Sequence, residues 1–379
     1  MAKVVIIGAG IAGSYAAYLA SIEGYDVTVY EKISEDKWYI DPLRGRKCGE
    51  GIWQRKLENA RLFIDPQDPE SCIENSTNQL ILGRMSDNGI LGELHGDIDP
   101  YMFINRAAFE DYYLDLAKTN GAEIRFGEGV EDVDEIKEIH PGAYVLCAWG
   151  TSKATKRIVS DDSGICFITG YQHTMTDVNI EALGNAKVLY LSDDPNVIYY
   201  YIFPKSDTGL VEANVGVVFK PWKASRGSDN LNRFIDTNPH NVFGNVKIVK
   251  GRTFSKLMCS GGPITQDMLT DKFFLPVGDA DFLESTISGG GIGHALLSSK
   301  LAIEALKEGE PQTAYFSSLE NLVARLRLDY SMFDALYPST ADDSVRVNDR
   351  FFELAKAEVE HGGYLSLSNI IHTVSEELG

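Results

Sequence analysis

Six residues near the start of the chain, Gly8-Ala9-Gly10-Ile11-Ala12-Gly13, have the types and spacing that hold a pyrophosphate. Gly8 permits a tight turn, Gly10 lets the backbone approach the phosphates, and Gly13 lets a helix pack closely on a strand. Glu31, at the end of a second apolar run, can accept hydrogen bonds from both hydroxyls of a ribose. An acid at that place disfavours a 2′-phosphate. Ala12 and Lys32 complete the set expected to contact a dinucleotide. A second constellation lies far along the chain, Gly278-Asp279 followed by Ser288-Gly289-Gly290-Gly291-Ile292. An Asp at a strand end can hold ribityl hydroxyls, and a helix N-terminus beyond it favours negative charge on a reduced isoalloxazine. The two constellations together point to FAD rather than NAD.

These residues need elements to carry them. Lys3–Ile7 is an apolar, β-branched run, Ser14–Ile22 reads as a helix and Asp26–Tyr30 as a second strand. That order puts the pyrophosphate on a helix N-terminus, where free N–H groups and the macrodipole attract it. Ser34–Gly51 is polar and Gly-containing and reads as irregular, and residues 53–100 read as short strands and turns, including Gln79–Leu82. Phe103–Asn120 has helical spacing and stops at Asn120-Gly121. Ala122–Phe126 and Tyr144–Trp149 read as further strands of the first lobe. Strand-like runs then recur at Gly164–Thr169, Lys187–Leu191, Val197–Phe203 and Glu212–Phe219, which predicts an antiparallel sheet. Phe273–Val277 returns to the buried-strand pattern, Gly289–Gly291 opens a helix, and the remainder reads as mainly helical. The expected fold class is α/β. A Rossmann-like FAD-binding lobe is assembled from residues 1–52, 101–160 and 271–310. An antiparallel-sheet substrate lobe (53–100 and 161–270) is inserted into it, and a helical C-terminal region spans 311–379.

A chain of 379 residues is long for one core, which favours two lobes. A hydrophobic content of 44% supports a well-buried globular protein. The net charge is −20, from 35 basic and 55 acidic residues. With no basic patch to neutralise phosphates, nucleic acid is disfavoured as a partner, and so is strong attachment to anionic headgroups. The five cysteines (Cys48, Cys72, Cys147, Cys166 and Cys259) are scattered without a CxxC pair and read as cytosolic thiols. The first strand begins at Lys3, so no signal peptide is expected. No apolar run approaches the ~20 residues of a membrane span. A cytoplasmic protein is therefore expected, any membrane contact being peripheral, at the inner face. The seven histidines form no HxH, HExxH or His/Cys cluster, so no metal site is expected.

Further motifs add a resemblance. Lys47-Cys48-Gly49-Glu50-Gly51 is similar to a CGEG segment, and Tyr199-Tyr200-Tyr201-Ile202-Phe203-Pro204 to a YxWxFP motif, followed by Asn214-Val215-Gly216. Gly278-Asp279-Ala280 with Ser288–Ile292 is similar to GDAAG…TGGGI, and Arg106 before a helix matches an arginine near flavin phosphates. With the N-terminal fingerprint, residues 1–310 resemble the geranylgeranyl reductase family of flavoproteins, within the p-hydroxybenzoate-hydroxylase-like folds. The resemblance implies an FAD-dependent enzyme that hydrogenates C=C bonds of a polyprenyl lipid. Geranylgeranyl groups of archaeal-type glycerolipids are the first candidate, with hydride from flavin N5 and a proton from a protein acid or water. Reduced ferredoxin or NAD(P)H would be the electron donor. Trp149-Gly150, in place of the Asp-Gly of hydroxylases, weighs against a docked nicotinamide.

The same resemblance implies residue roles. The Cys48 thiol would lie beside the flavin, with Gly49 and Gly51 allowing close approach. Tyr199, Tyr201 and Phe203 alternate along one strand face and would form an aromatic wall for the lipid, a Tyr hydroxyl serving as proton source. Pro204 and Gly216 join them as substrate contacts, with Cys48, Tyr201 and Tyr199 the expected catalytic set. His294 and Trp149 read as packing residues, and Glu50 as either a loop cap or an acid near the pocket. Two other readings stand: an oxygen-using hydroxylase or halogenase of the same fold, and a non-catalytic lipid- or flavin-binding carrier.

Overall fold

The computed structural model describes residues 2–40, 49–59, 72–151, 155–159, 165–206, 210–220, 227–259, 263–285, 290–338 and 340–378. Chain order begins β1 (Lys3–Ile7), α1 (Ile11–Ile22), β2 (Asp26–Glu31), α2 (Glu35–Ile40), β3 (Gly51–Trp53) and α3 (Gln54–Asn59). It continues with β4 (Ile73–Ser86), β5 (Gly89–Ile104), α4 (Arg106–Thr119), β6 (Glu123–Phe126), α5 (Val133–Ile139), β7 (Tyr144–Cys147) and α6 (Thr155–Ile158). Then come β8 (Ile165–Asn179), β9 (Lys187–Ser192), β10 (Val197–Pro204), β11 (Leu210–Phe219), α7 (Gly227–Thr237), β12 (Lys247–Cys259) and β13 (Phe274–Pro276). Four helices close the chain: α8 (Ile292–Ala305), α9 (Pro311–Leu336), α10 (Ala341–Gly362) and α11 (Leu367–Leu378).

The first sheet has the order β13-β7-β1-β2-β6, with every neighbouring pair parallel. Val4, Val5 and Ile6 of β1 are all fully buried, as expected of a parallel strand covered on both faces. On one face α1 presents Ala16, Ala17 and Ala20, small enough for α4 and α8 to approach. The Ser299 hydroxyl of α8 donates to the Ala12 carbonyl at 2.9 Å and pins that crossing. The opposite face is closed by Ile136, Ile158, Phe274 and Phe282.

The second sheet runs β12-β8-β11-β10-β9-β4-β5-β3. Its pairings are antiparallel apart from β4 with β9, which is parallel, so the expected antiparallel sheet is in fact mixed. Period two separates its faces. Tyr200 and Ile202 of β10 pack toward α7 with Phe234 and Phe243, while Tyr201 and Phe203 pack with Tyr101, Phe103 and the C-terminal helices. Those helices contribute Phe333, Leu336, Val347, Phe351, Ile370 and Val374 to the same layer. Each such large apolar side chain, fully buried, is worth about 1.5–3 kcal/mol by area. Asn348 of α10 fixes the layer by donating to the Ser192 carbonyl at 2.9 Å and to Asp193 at 2.8 Å.

Several local expectations are corrected. Residues 73–104 form one long hairpin rather than short strands; register shifts near Ile73, Thr77 and Arg84 break the period-two pattern that would have shown it. The helix expected from Phe103 starts at Arg106, because Asn105 is its N-cap and Phe103 and Ile104 belong to β5. The segment read as irregular contains α2, held by Trp38, whose indole N–H donates to Asp111 at 2.7 Å. Strand β8 extends ten residues beyond the expected Thr169, and α7 and β12 were not anticipated.

Candidate functional site

The glycine turn after β1 is a cradle that side chains would fill. Gly8 adopts φ +100°, and a Cβ there would lie 2.6 Å from the Ala148 carbonyl oxygen. A Cβ on Gly13 would lie 1.8 Å from the Gly8 oxygen. Glu31 is buried at the mouth of this turn, its Oε2 accepting the Ala9 N–H at 2.9 Å and its Oε1 the Ile33 N–H at 2.9 Å. Each oxygen keeps a second lone pair for a ribose hydroxyl. The Arg106 guanidinium comes from the first turn of α4, and its Nη2 would be 3.3 Å from a Cβ on Gly10. Glu110 accepts from Arg106 Nε at 2.6 Å and sets that orientation. A cation above a glycine turn at a helix N-terminus fits a pyrophosphate. Lys32 is exposed beside Gly129.

The second constellation meets the first. Gly278 (φ +62°) packs against Ala12 and Ala295, and its N–H donates to Ser298 Oγ at 3.0 Å. Asp279 Oδ1 would lie 3.1 Å from a Cβ on Gly291, the residue that precedes α8. An acid and a helix N-terminus therefore share one corner with the glycine turn, the arrangement a flavin's ribityl chain and pyrimidine edge require. Gly290 and Ile292 flank Gly291, whereas Gly289 lies outside the described residues. His294 of α8 is buried; its Nδ1 faces the Leu283 carbonyl at 2.9 Å and its Nε2 the Lys56 ammonium at 2.7 Å. A carbonyl only accepts, so Nδ1 carries the proton and Nε2 accepts from Lys56. Burial pushes the Lys56 amine down to about 8. Trp149 donates its indole N–H to Thr155 at 2.9 Å and packs beside the β7 core.

Between the two sheets stands Glu50, buried at φ +60°. Its Oε2 accepts from Asn214 Nδ2 and pairs with Lys205 Nζ, both at 2.9 Å, and its carbonyl accepts the Ile104 N–H. Lys205 also donates to the Ile104 carbonyl at 2.7 Å and pairs with Glu74 at 3.0 Å. Of the two sequence readings of Glu50, the geometry is nearer the loop cap. Glu50 is a staple that ties the Gly49–Gly51 segment to β11 through Asn214, to Lys205 just beyond β10, to the end of β5, and to the start of α4, whose Arg106 N–H donates to Oε1 at 3.4 Å. Cys48 lies outside the described residues.

Beyond that staple the aromatic face of the second sheet begins. Cβ atoms on Gly49, Gly51 and Gly216 would each lie 2.3 Å from the rings of Phe203, Tyr101 and Tyr201 respectively. The glycines make room for aromatic rings, a reason sequence reading did not supply. The rings of Tyr201 and Phe203 are 4.6 Å apart, and Tyr199 and Tyr201 6.3 Å. The Tyr201 hydroxyl donates to Gln172 Oε1, and burial beside Tyr199 drives the Tyr337 phenol upward. Pro204 ends β10, its carbonyl taken by Asn75 at 3.0 Å.

Sequence reading missed Lys187 altogether. It opens β9, is 6% exposed, and aims Nζ at the Tyr101 ring (3.8 Å), with Trp53 and Phe203 at 5.1 and 5.4 Å. No carboxylate lies within ion-pair distance of it among the described residues, and burial pushes its amine down to about 7. The alternation Lys187, Leu189, Leu191 toward this face was the available signal. Also missed was a cluster of Glu93, His95 and His240 on the other face of the sheet.

Comparison with known proteins agrees with this geometry. The NAD(P)-binding Rossmann-like domain family matches residues 6–35. A digeranylgeranylglycerophospholipid reductase of Methanosphaerula palustris is 26% identical over 346 residues, covering 84% of this chain and 80% of the relative. A geranylgeranyl bacteriochlorophyll reductase-like structure from Thermoplasma acidophilum superposes with a TM-score of 0.71 at 19% identity, over 99% of this chain and 96% of its own. The halogenase PltM, solved with FAD, reaches 0.66 at 12% identity, over 98% and 85%. The likeness to the geranylgeranyl reductase flavoproteins read from the motifs is borne out, as is the fold class, and FAD is the cofactor in the halogenase structure. No described helix is long and apolar enough to cross a membrane.

Proposed function

We propose that the chain is an FAD-dependent reductase of C=C bonds in a polyprenyl lipid, with geranylgeranyl chains the leading substrate class. The observation that carries this reading is the aromatic face of the second sheet, which continues from the cofactor corner through Gly49 and is roofed by α9–α11. A long isoprenoid needs such a dry, ring-lined layer, and the names of the curated relatives support the same substrate class. On this reading residues 1–52, 101–160 and 271–310 carry the cofactor, and residues 53–100 and 161–270 the substrate sheet.

FAD, when bound, supplies hydride at N5. The chain's own residues do the rest. The Gly8–Gly13 turn, Glu31 and Arg106 hold the ADP half, and Asp279 with the α8 terminus holds the ribityl and pyrimidine end. Tyr199, Tyr201, Phe203, Pro204 and Gly216 orient the prenyl chain and exclude water. Lys187 holds a proton at that wall; its lowered pKa leaves the ammonium a readier acid than an ordinary lysine at neutral pH. For Cys48 the role implied by the resemblance, contact with flavin or substrate, is kept as part of this proposal. Electrons come from reduced ferredoxin or NAD(P)H, and any membrane contact is peripheral.

The test is anaerobic. Protein reduced with dithionite is mixed with a geranylgeranylated glycerolipid, and flavin absorbance and lipid mass are followed. Flavin reoxidation with a gain of two hydrogens per bond is the expected result. A flavin that stays reduced until oxygen is admitted overturns it. Lys187→Met is expected to lower kcat about 10²–10⁴-fold, the range for a positioned acid, with flavin content unchanged.

A further inference from the structure

On the face of the second sheet turned away from the aromatic wall, Glu93 and His95 alternate along β5 and therefore project to the same side. The turn after α7 brings His240 over them. One ligand atom from each of the three side chains lies within 4.8 Å of the others. Glu93 Oε2 is 3.1 Å from His240 Nε2, and the two imidazole rings are 6.1 Å apart at 77°. The other Glu93 oxygen, Oε1, accepts the hydroxyl of the fully buried Tyr190, which fixes the carboxylate with Oε2 toward His240. That is how a ligating carboxylate is oriented by a supporting hydrogen bond. The turn itself holds Asn238, His240 and Asn241 at φ +46°, +52° and +56°, and Phe243 N–H bonds Asn238 Oδ1 at 2.7 Å.

We propose that Glu93, His95 and His240 form a binding site for a zinc-class divalent cation that clamps the 238–241 turn onto β5. Two imidazoles and one carboxylate are the borderline donor set such ions take, with a fourth position left to water. The exposed His95 supplies both the entry path and the freedom to close the remaining distance by side-chain rotation. The sheet separates the site from the aromatic wall, so the cation is structural and its effect is on the stability of this face.

The experiment uses the full-length flavin-loaded protein, stripped with chelator and desalted. Zinc alone is titrated in, while bound metal per chain and the melting temperature are followed. One zinc per chain and a melting temperature that rises with zinc are expected. His95→Ala, at an exposed position, and His240→Asn, a residue that tolerates the left-handed backbone, are each expected to lose both effects. Their flavin content and zinc-free melting temperature should stay near those of the parent. Tyr190→Phe should weaken zinc about tenfold or more. Absence of stoichiometric zinc in the parent, or zinc binding unchanged in His95→Ala and His240→Asn, overturns the proposal and leaves Glu93–His240 an ion pair only.

Discussion

Glu31 and Lys187 are both buried charged side chains, and they differ in what surrounds the charge. Glu31 is satisfied by two backbone N–H groups at the glycine turn. Glu31→Ala removes a charged acceptor and uncaps Ala9 and Ile33; FAD affinity should fall about 10–100-fold, the range for one charge-assisted hydrogen bond. Flavin fluorescence titration reads this directly. Among the described residues Lys187 faces the rings of Tyr101, Trp53 and Phe203, and burial lowers its amine from 10.5 to about 7. Between those values the unfolded chain holds a proton that the folded chain does not, so folding stability rises with pH from about 7 to about 10.5 and is flat below. Lys187→Met should abolish that slope in a melting series against pH, and be the more stable form near pH 7. The glycine turn and Glu31 were legible because their spacing is local. Lys187 was not, since Trp53, Tyr101 and Phe203 reach it from three separated segments.

At the level of elements, the strands of the second sheet are shaped by pairs of glycine and ring. Alternation along β10 let its aromatic face be read from sequence, but the partner glycine on β11 is a matter of register, Tyr201 opposite Gly216. Gly216→Ala places a methyl 2.3 Å from the Tyr201 ring and should cost about 1–3 kcal/mol, seen as a lower denaturant midpoint. The β4–β5 hairpin was illegible for the opposite reason, because bulges interrupt its period. The dinucleotide strands, short and, at β1, β7 and β13, buried, were read nearly to their ends.

Across the whole molecule, the C-terminal helices join the two lobes. α9 reaches the nucleotide lobe through Tyr315, whose hydroxyl donates to the Pro276 carbonyl at 2.6 Å and lies 3.2 Å from Asp281 Oδ2. Asp281 is solvent-free and its Oδ1 has no hydrogen-bond partner among the described residues, so burial pushes its carboxyl well above 3.8. The folded state then favours the protonated acid, and its contribution to stability is lost as pH rises above the unfolded value toward the folded one. Asp281→Asn should be more stable than the parent at pH 7 and no different below about pH 3.8, in paired melting curves. The far end of α9, with α10 and α11, roofs the aromatic wall. Their helical character was plain in the sequence; their docking was not, because an apolar stripe names no partner.

The parallel strand order of the first sheet also sets a timetable for biosynthesis. β1 and β2 leave the ribosome well before β7 and β13, which complete the sheet beside β1 and come from residues 144–147 and 274–276. A nascent chain halted before Asp279 already holds Gly8–Gly13, Glu31 and Arg106, but has neither the acid nor the α8 terminus of the far corner. Cofactor loading is thereby confined to chains elongated past the start of α8, and the α9–α11 roof is laid over the wall only after that.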